Sequence, residues 1–228
     1  VPDPPEFDLA QRMADLARTV ARPRSRADVF DDVTGAAVEI IDGVDAAGIL
    51  LIGDDGQFES HAGTSPLPHE LDELQQLLHE GPCLEAALDD LVVRTHDFRH
   101  EPRWPAYSVE AVKLGVLSGM SFRLYTAERT AGALNLFGFA PTPWDAEALA
   151  TGSVLAAHAV AAVLAERQHA HLRSALADRD RVGQAKGVLM ERHGVDDVQA
   201  FDMLKAYADG GGGALVDIAE QVLGTRGG

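Results

Sequence analysis

Gln184-Ala185-Lys186-Gly187-Val188-Leu189-Met190 lies inside a helix-patterned run from Leu172 to His193, and two glycines, Gly183 and Gly187, interrupt that run. Each glycine costs a helix about 1 kcal/mol relative to alanine. At about 100° per residue, Arg179, Gly183, Lys186, Gly187 and Met190 fall on one side of the helix. Two cations beside two missing side chains make a ridge that an anionic partner can approach closely. Spacing alone leaves a second reading open, in which the glycines admit a packed neighbouring helix and the cations are solvated.

The charge around this ridge is unusual for the chain. Net charge is −17 over 228 residues, which argues against a general nucleic-acid coat. Residues 1–172 hold 12 Lys/Arg against 27 Asp/Glu, whereas residues 173–192 hold five cations (Arg173, Arg179, Arg181, Lys186, Arg192) against three anions. Nucleic-acid contact therefore belongs to this one locally positive stretch. Hydrophobic residues at 46% support a packed core and exclude wholesale disorder. The longest alanine-rich apolar run, Val154 to Ala165, is short for a membrane span and contains His158. The start Val1-Pro2-Asp3-Pro4-Pro5 lacks the basic and apolar stretches of a secretory leader, and the single Cys83 has no internal disulfide partner. The expectation is a cytoplasmic protein with no membrane partner.

Upstream of the ridge, a helical pattern begins near Asp145, after Pro141-Thr142-Pro143-Trp144, and runs to about His193. Such a tract would span about 70 Å. Leu155, Ala162, Ala165, Leu172 and Leu176 sit near heptad spacing, and His158, His169 and Arg179 break the seam. The pattern predicts a connector helix paired with a second chain; two helices with a bend near Gly183 is the alternative. Downstream, Gly194 stops the tract. Asp196 or Asp197 caps a helix over Val198 to Ala208 with Ala200, Phe201, Leu204 and Tyr207 inward. Asp209-Gly210-Gly211-Gly212-Gly213 reads as a flexible break, and Leu215 to Leu223 as a last short helix. The tail is a small all-helical unit.

The N-terminal two-thirds has a different pattern. Residues 7–22 read as an amphipathic helix (Phe7, Leu9, Met13, Leu16, Val20) ended by Pro23, and Arg26 to Asp42 as a second. Strands follow over Val44 to Ile52 and Gln57 to Ala62, joined by the turn Gly53-Asp54-Asp55-Gly56. Helices are predicted at Glu70 to Leu78, Leu84 to Leu88 and Ser108 to Leu114, with a short strand at Leu91 to Thr95 and an irregular stretch from Phe98 to Pro105. Val116 to Tyr125 and Ala131 to Phe139 read as central strands of an antiparallel sheet, joined by Thr126 to Thr130. The fold class is α+β.

The tail residues Ala175-Leu176-Ala177-Asp178-Arg179, Val182 to Met190, Ala200-Phe201, Leu204 and Asp217-Ile218-Ala219 resemble the ANTAR domain. The middle of the chain resembles a GAF sensor domain, through Glu80-Gly81-Pro82-Cys83-Leu84-Glu85-Ala86, Arg103-Trp104-Pro105 and Gly132-Ala133-Leu134-Asn135-Leu136. The resemblance implies an N-terminal helix at 1–24, a GAF-like antiparallel sheet flanked by helices over 25–165, and a connector helix with a three-helix ANTAR domain over 166–228. It also implies a transcription antitermination regulator that binds paired stem-loops with six-base loops in nascent RNA. Two loops call for a homodimer, formed through the connector and the GAF domain, with an unidentified small molecule as the GAF signal. Carried over residue by residue, it implies RNA contacts at Arg179, Gln184, Ala185, Lys186, Gly187 and Lys205. Unspecific charge and close backbone approach suit the reading of unstacked loop bases. One departure stands out: where the family has a basic segment before its last helix, this chain has Gly211-Gly212-Gly213-Ala214-Leu215.

No metal set, catalytic triad or phosphate-cradling loop is recognisable, so neither an enzyme nor a cofactor is expected. His96 and His100 lie at a strand end, and His169 and His171 face different sides of a helix. Two other functional classes remain: a protein-interaction module that binds no RNA, and a GAF-fold redox enzyme acting through Cys83. A lone cysteine is more often a buried packing residue.

Overall fold

A computed structural model describes residues 25–53, 57–88, 91–125, 130–211 and 213–224. The expected helix at 7–22 and the centres of the turns at 54–56 and 126–129 lie outside the described residues. The chain divides into two compact units, Val1–Glu166 and Arg167–Gly228.

In the first unit, α1 (Arg26–Ile40) starts at a reciprocal cap: the Ser25 hydroxyl accepts from the Asp28 amide, and the Asp28 carboxylate accepts from the Ser25 amide. Strands β1 (Ala46–Ile52), β2 (Phe58–His61), β3 (Val92–Thr95), β4 (Ser118–Tyr125) and β5 (Thr130–Gly138) form one antiparallel sheet in the order β2-β1-β5-β4-β3. Alternation then sorts the side chains. Ile49, Leu51, Phe122, Leu124, Leu134 and Leu136 pack against Val29, Phe30, Val33 and Ala37 of α1 and against Leu155, Ala159 and Val163. The other face, with Ala46, Leu50, Asn135 and Phe137, is covered by α2 (Leu67–Leu78), α3 (Pro82–Leu88) and α4 (Pro105–Lys113). Helices α2 and α4 begin earlier than the apolar periodicity suggests, because Pro68 and Pro105 sit in their first turns, where a missing amide hydrogen costs nothing.

Gly132 makes β1 and β5 fit. Its φ is +151°, and a Cβ there would collide with the Leu50 carbonyl oxygen. No other residue suits that position. On the outer helix, Gly152 faces Phe122 directly, and an added Cβ would overlap the ring.

Helix α5 (Ala146–His193) is continuous, with no bend at Gly183 marking a second element. The Asp145 carboxylate accepts from the Ala148 amide at its start, and Gly194, at φ +64°, ends it. An 18-residue window of α5 is long and apolar enough to cross a membrane, longer than the apolar run Val154 to Ala165 expected from the sequence. Its apolar side is occupied, since Leu155, Ala156, Ala159 and Val163 are buried in the sheet core.

The second unit contains the end of α5, then α6 (Asp197–Gly211) and α7 (Leu215–Gly224). Asp196 caps α6 in a reciprocal pair with Gln199. The core is Ala185, Leu189, Ala200, Leu204, Ile218 and Ala219, with Val182, Met203 and Leu215 at its margin. Two expectations change. The helix runs on through Asp209, Gly210 and Gly211, because each further backbone bond on an already packed helix offsets part of the glycine penalty. Phe201 and Tyr207 lie outside the core: Phe201 is half-buried on one flank, and Tyr207 is exposed.

Candidate nucleic-acid interface

The candidate ridge lies wholly in the second unit. Val182, Ala185 and Leu189 turn one side of α5 into the core, which places Arg179, Gly183, Lys186 and Met190 on the flank beside it. Arg179 and Gln184 are exposed. Among the described residues, an added Cβ at Gly183 or Gly187 would meet nothing within 4 Å, so neither glycine seats another described helix. The packed-helix explanation of the two glycines therefore finds no partner helix among the described residues.

Lys186 is held rather than free. Its Nζ lies 2.5 Å from the Asp197 carboxylate and 5.8 Å from the centre of the Phe201 ring. Lys205, one turn beyond Phe201 on α6, places its Nζ 5.8 Å from the same ring. Asp197, Phe201 and Lys205 recur every four residues and so line one flank of α6. The structure brings Lys186 and Lys205 together around Phe201. It does not bring Ala185 to the surface: that side chain is fully buried, because its position points between α6 and α7. Ala185 is a packing residue here. On the opposite flank, Arg181 pairs with Asp178 and with Glu220 of α7.

The first unit holds a second polar constellation that sequence reading missed. Asp72 of α2 is buried against the sheet. The Ser60 hydroxyl donates to one carboxyl oxygen at 2.5 Å and the Asn135 amide to the other at 3.0 Å. Ser121 in turn donates to Asn135. Burial pushes the Asp72 pKa up to about 7, against the opposing pull of Ser60, Asn135 and His69. Burial also raises the Cys83 thiol far above its ordinary value, with the Asp72 charge adding to the effect. Tyr107 is raised for the same two reasons, and its hydroxyl and the Gln75 Nε2 are buried without a hydrogen-bond partner among the described residues. A thiol held protonated and sealed is a poor nucleophile, so the Cys83 redox reading has no chemical support. Among the described residues, no cluster of three or more His, Cys, Asp or Glu is arranged to hold a metal.

The other motif residues of this unit are structural. Glu80 accepts from the Ala106 and Tyr107 amides and so caps α4. Glu85 receives Arg103 and the Trp104 indole, each at 3.0 Å, while the Arg103 guanidinium lies 4.3 Å over the Trp104 ring. Such a clasp fixes α3 against the start of α4.

Residues 23–163 match the sequence profile of the GAF domain, and residues 170–223 match that of the ANTAR domain. The chain belongs to the GAF domain family and carries an ANTAR domain at its tail. Both are regulatory rather than catalytic domains: GAF is a sensor domain and ANTAR an RNA-binding one. The GAF fold is similar to the GAF domain of an Acinetobacter phosphoenolpyruvate-protein phosphotransferase, at TM-score 0.53 and 15% identity over 72% of this chain and 95% of that one. It is also similar to a domain of a two-component sensor histidine kinase from Sinorhizobium meliloti, at TM-score 0.51 and 16% identity over 64% and 95%. A third similar structure is the free methionine-R-sulfoxide reductase of Neisseria meningitidis, at TM-score 0.51 and 15% identity over 69% and 89%. At these identities the likeness is one of fold alone. No curated protein matches the chain significantly.

Proposed function

We propose that this protein is a cytoplasmic transcription antitermination regulator that acts as a homodimer. Its paired ANTAR domains hold two six-base stem-loops of a nascent transcript, so that an overlapping terminator cannot form. The observation that carries this reading is the open, cationic flank of the second unit. Arg179, Gln184 and Lys205 are exposed, Lys186 is engaged among the described residues by an exposed carboxylate and an aromatic ring, and Gly183 and Gly187 leave the α5 backbone approachable. Cations for phosphates and bare backbone for close approach are what unstacked loop bases require. Arg179, Gln184, Lys186, Gly187 and Lys205 are the proposed contact residues, and Ala185 positions them from the core. Leu172 and Leu176, each about 60% exposed and one turn apart on α5, supply the apolar stripe for pairing with a second copy. A small-molecule signal at the GAF domain would act by favouring one arrangement of the paired tails over another.

A mobility-shift assay with an RNA of two six-base-loop hairpins tests the reading. The full-length protein binds with an affinity that falls as salt rises, and Lys186→Ala weakens it. Absence of salt-sensitive binding, or full binding by Lys186→Ala, refutes it.

A further inference from the structure

The core does not explain the position of Phe201. Its neighbours in sequence, Ala200 and Leu204, are fully buried, yet the ring stays outside the apolar cluster and is half-exposed on the flank that α6 shares with the glycine-notched side of α5. Two ammonium groups, one from each helix, lie 5.8 Å from its centre. An aromatic surface beside two cations suits an unpaired nucleobase: the ring stacks on the base, and the cations meet the phosphates that flank it. The Asp197 carboxylate on Lys186 holds, in the free protein, the place that one such phosphate would take.

We propose that Phe201 is the stacking platform of the RNA site, receiving one unpaired loop base beside Lys186 and Lys205. The proposal rests on the RNA-binding reading above and adds to it the residue that recognises a base rather than a phosphate. Phe201 lies too far from the α5 ridge in sequence to be found by periodicity, and helical spacing assigns it to the core.

The test uses the full-length protein and a pool of two-hairpin RNAs with randomised six-base loops, from which the tightest binder is taken. Phe201→Leu keeps an apolar side chain, somewhat smaller, and removes the π surface; it is expected to lose roughly ten-fold or more in affinity. Its salt dependence stays that of the unaltered protein, because no cation is removed. Phe201→Tyr retains binding. Lys205→Ala, by contrast, makes the salt dependence shallower. Circular dichroism of each variant reports the helical tail. Equal binding by Phe201→Leu and the unaltered protein overturns the platform while leaving the RNA reading in place. Equal losses in Phe201→Leu and Phe201→Tyr overturn it as well, because a purely structural role would not distinguish a π surface. Failure of the unaltered protein to select any RNA overturns both.

Discussion

Replacing Asp72 with asparagine should make the GAF domain more stable at alkaline pH and flatten its response to pH. In the unfolded chain this carboxyl loses its proton near 3.8; in the folded protein burial holds the proton until about pH 7. Across that window the unfolded state binds fewer protons than the folded one, so stability falls as pH rises. The fall is about 1.4 kcal/mol per pH unit, and about 4 kcal/mol in all between the two pKa values. Above pH 7 both states are ionised, and the loss is complete. Asparagine is the same size. Its oxygen still accepts from Asn135, and its amide donates to the Ser60 hydroxyl, so the network survives without a charge. Trp104 and Trp144 are both buried in the first unit, and the chain has no other tryptophan. Urea unfolding followed by tryptophan fluorescence therefore reports that unit alone. Midpoints measured from pH 5 to 8.5 should decline for the unaltered protein and change much less for Asp72→Asn, which is the more stable of the two at pH 8. Parallel pH profiles would show that Asp72 ionises as an ordinary surface carboxylate and would refute the reasoning.

Gly152→Ala gains about 1 kcal/mol of helix propensity but forces a methyl into the Phe122 ring; overpacking costs of about 1–3 kcal/mol should prevail, lowering the fluorescence-detected melting temperature of the first unit. Gly183→Ala with Gly187→Ala meets open space, so the tail should gain up to about 1 kcal/mol per site in helical stability by circular dichroism while RNA affinity falls. Asp197→Asn releases Lys186 from its ion pair; RNA binding should tighten by up to about five-fold, the worth of an exposed pair, and its salt slope should steepen by about 0.7. Unchanged slopes in the mobility-shift assay would show that Lys186 does not meet a phosphate.

Much of the fold was legible in the sequence. The apolar, β-rich runs of Ala46–Ile52, Ser118–Tyr125 and Thr130–Gly138, the stop at Gly194 and the cap ahead of α6 are signals carried by residues within a few positions of one another. Of the proposed contact residues, Arg179, Lys186 and Gly187 are singled out by helical spacing, and Gln184 and Lys205 only by the resemblance to the ANTAR domain. Helical spacing misplaced Phe201, which shares its register with core positions, and it could not foresee the burial of Ala185.

What the sequence determined by itself was therefore local: helix and strand periods, caps and breaks, and a positive stretch in an acidic chain, all of which follow from neighbouring side chains and backbone hydrogen bonds. Tertiary structure decided which polar groups are sealed and which cations are paired. Asp72 meets Asn135 across 63 residues of chain, and Lys186 meets Asp197 and Phe201 only because two helices dock. Desolvation and ion pairing depend on what stands opposite a group, and the linear order of residues does not contain that.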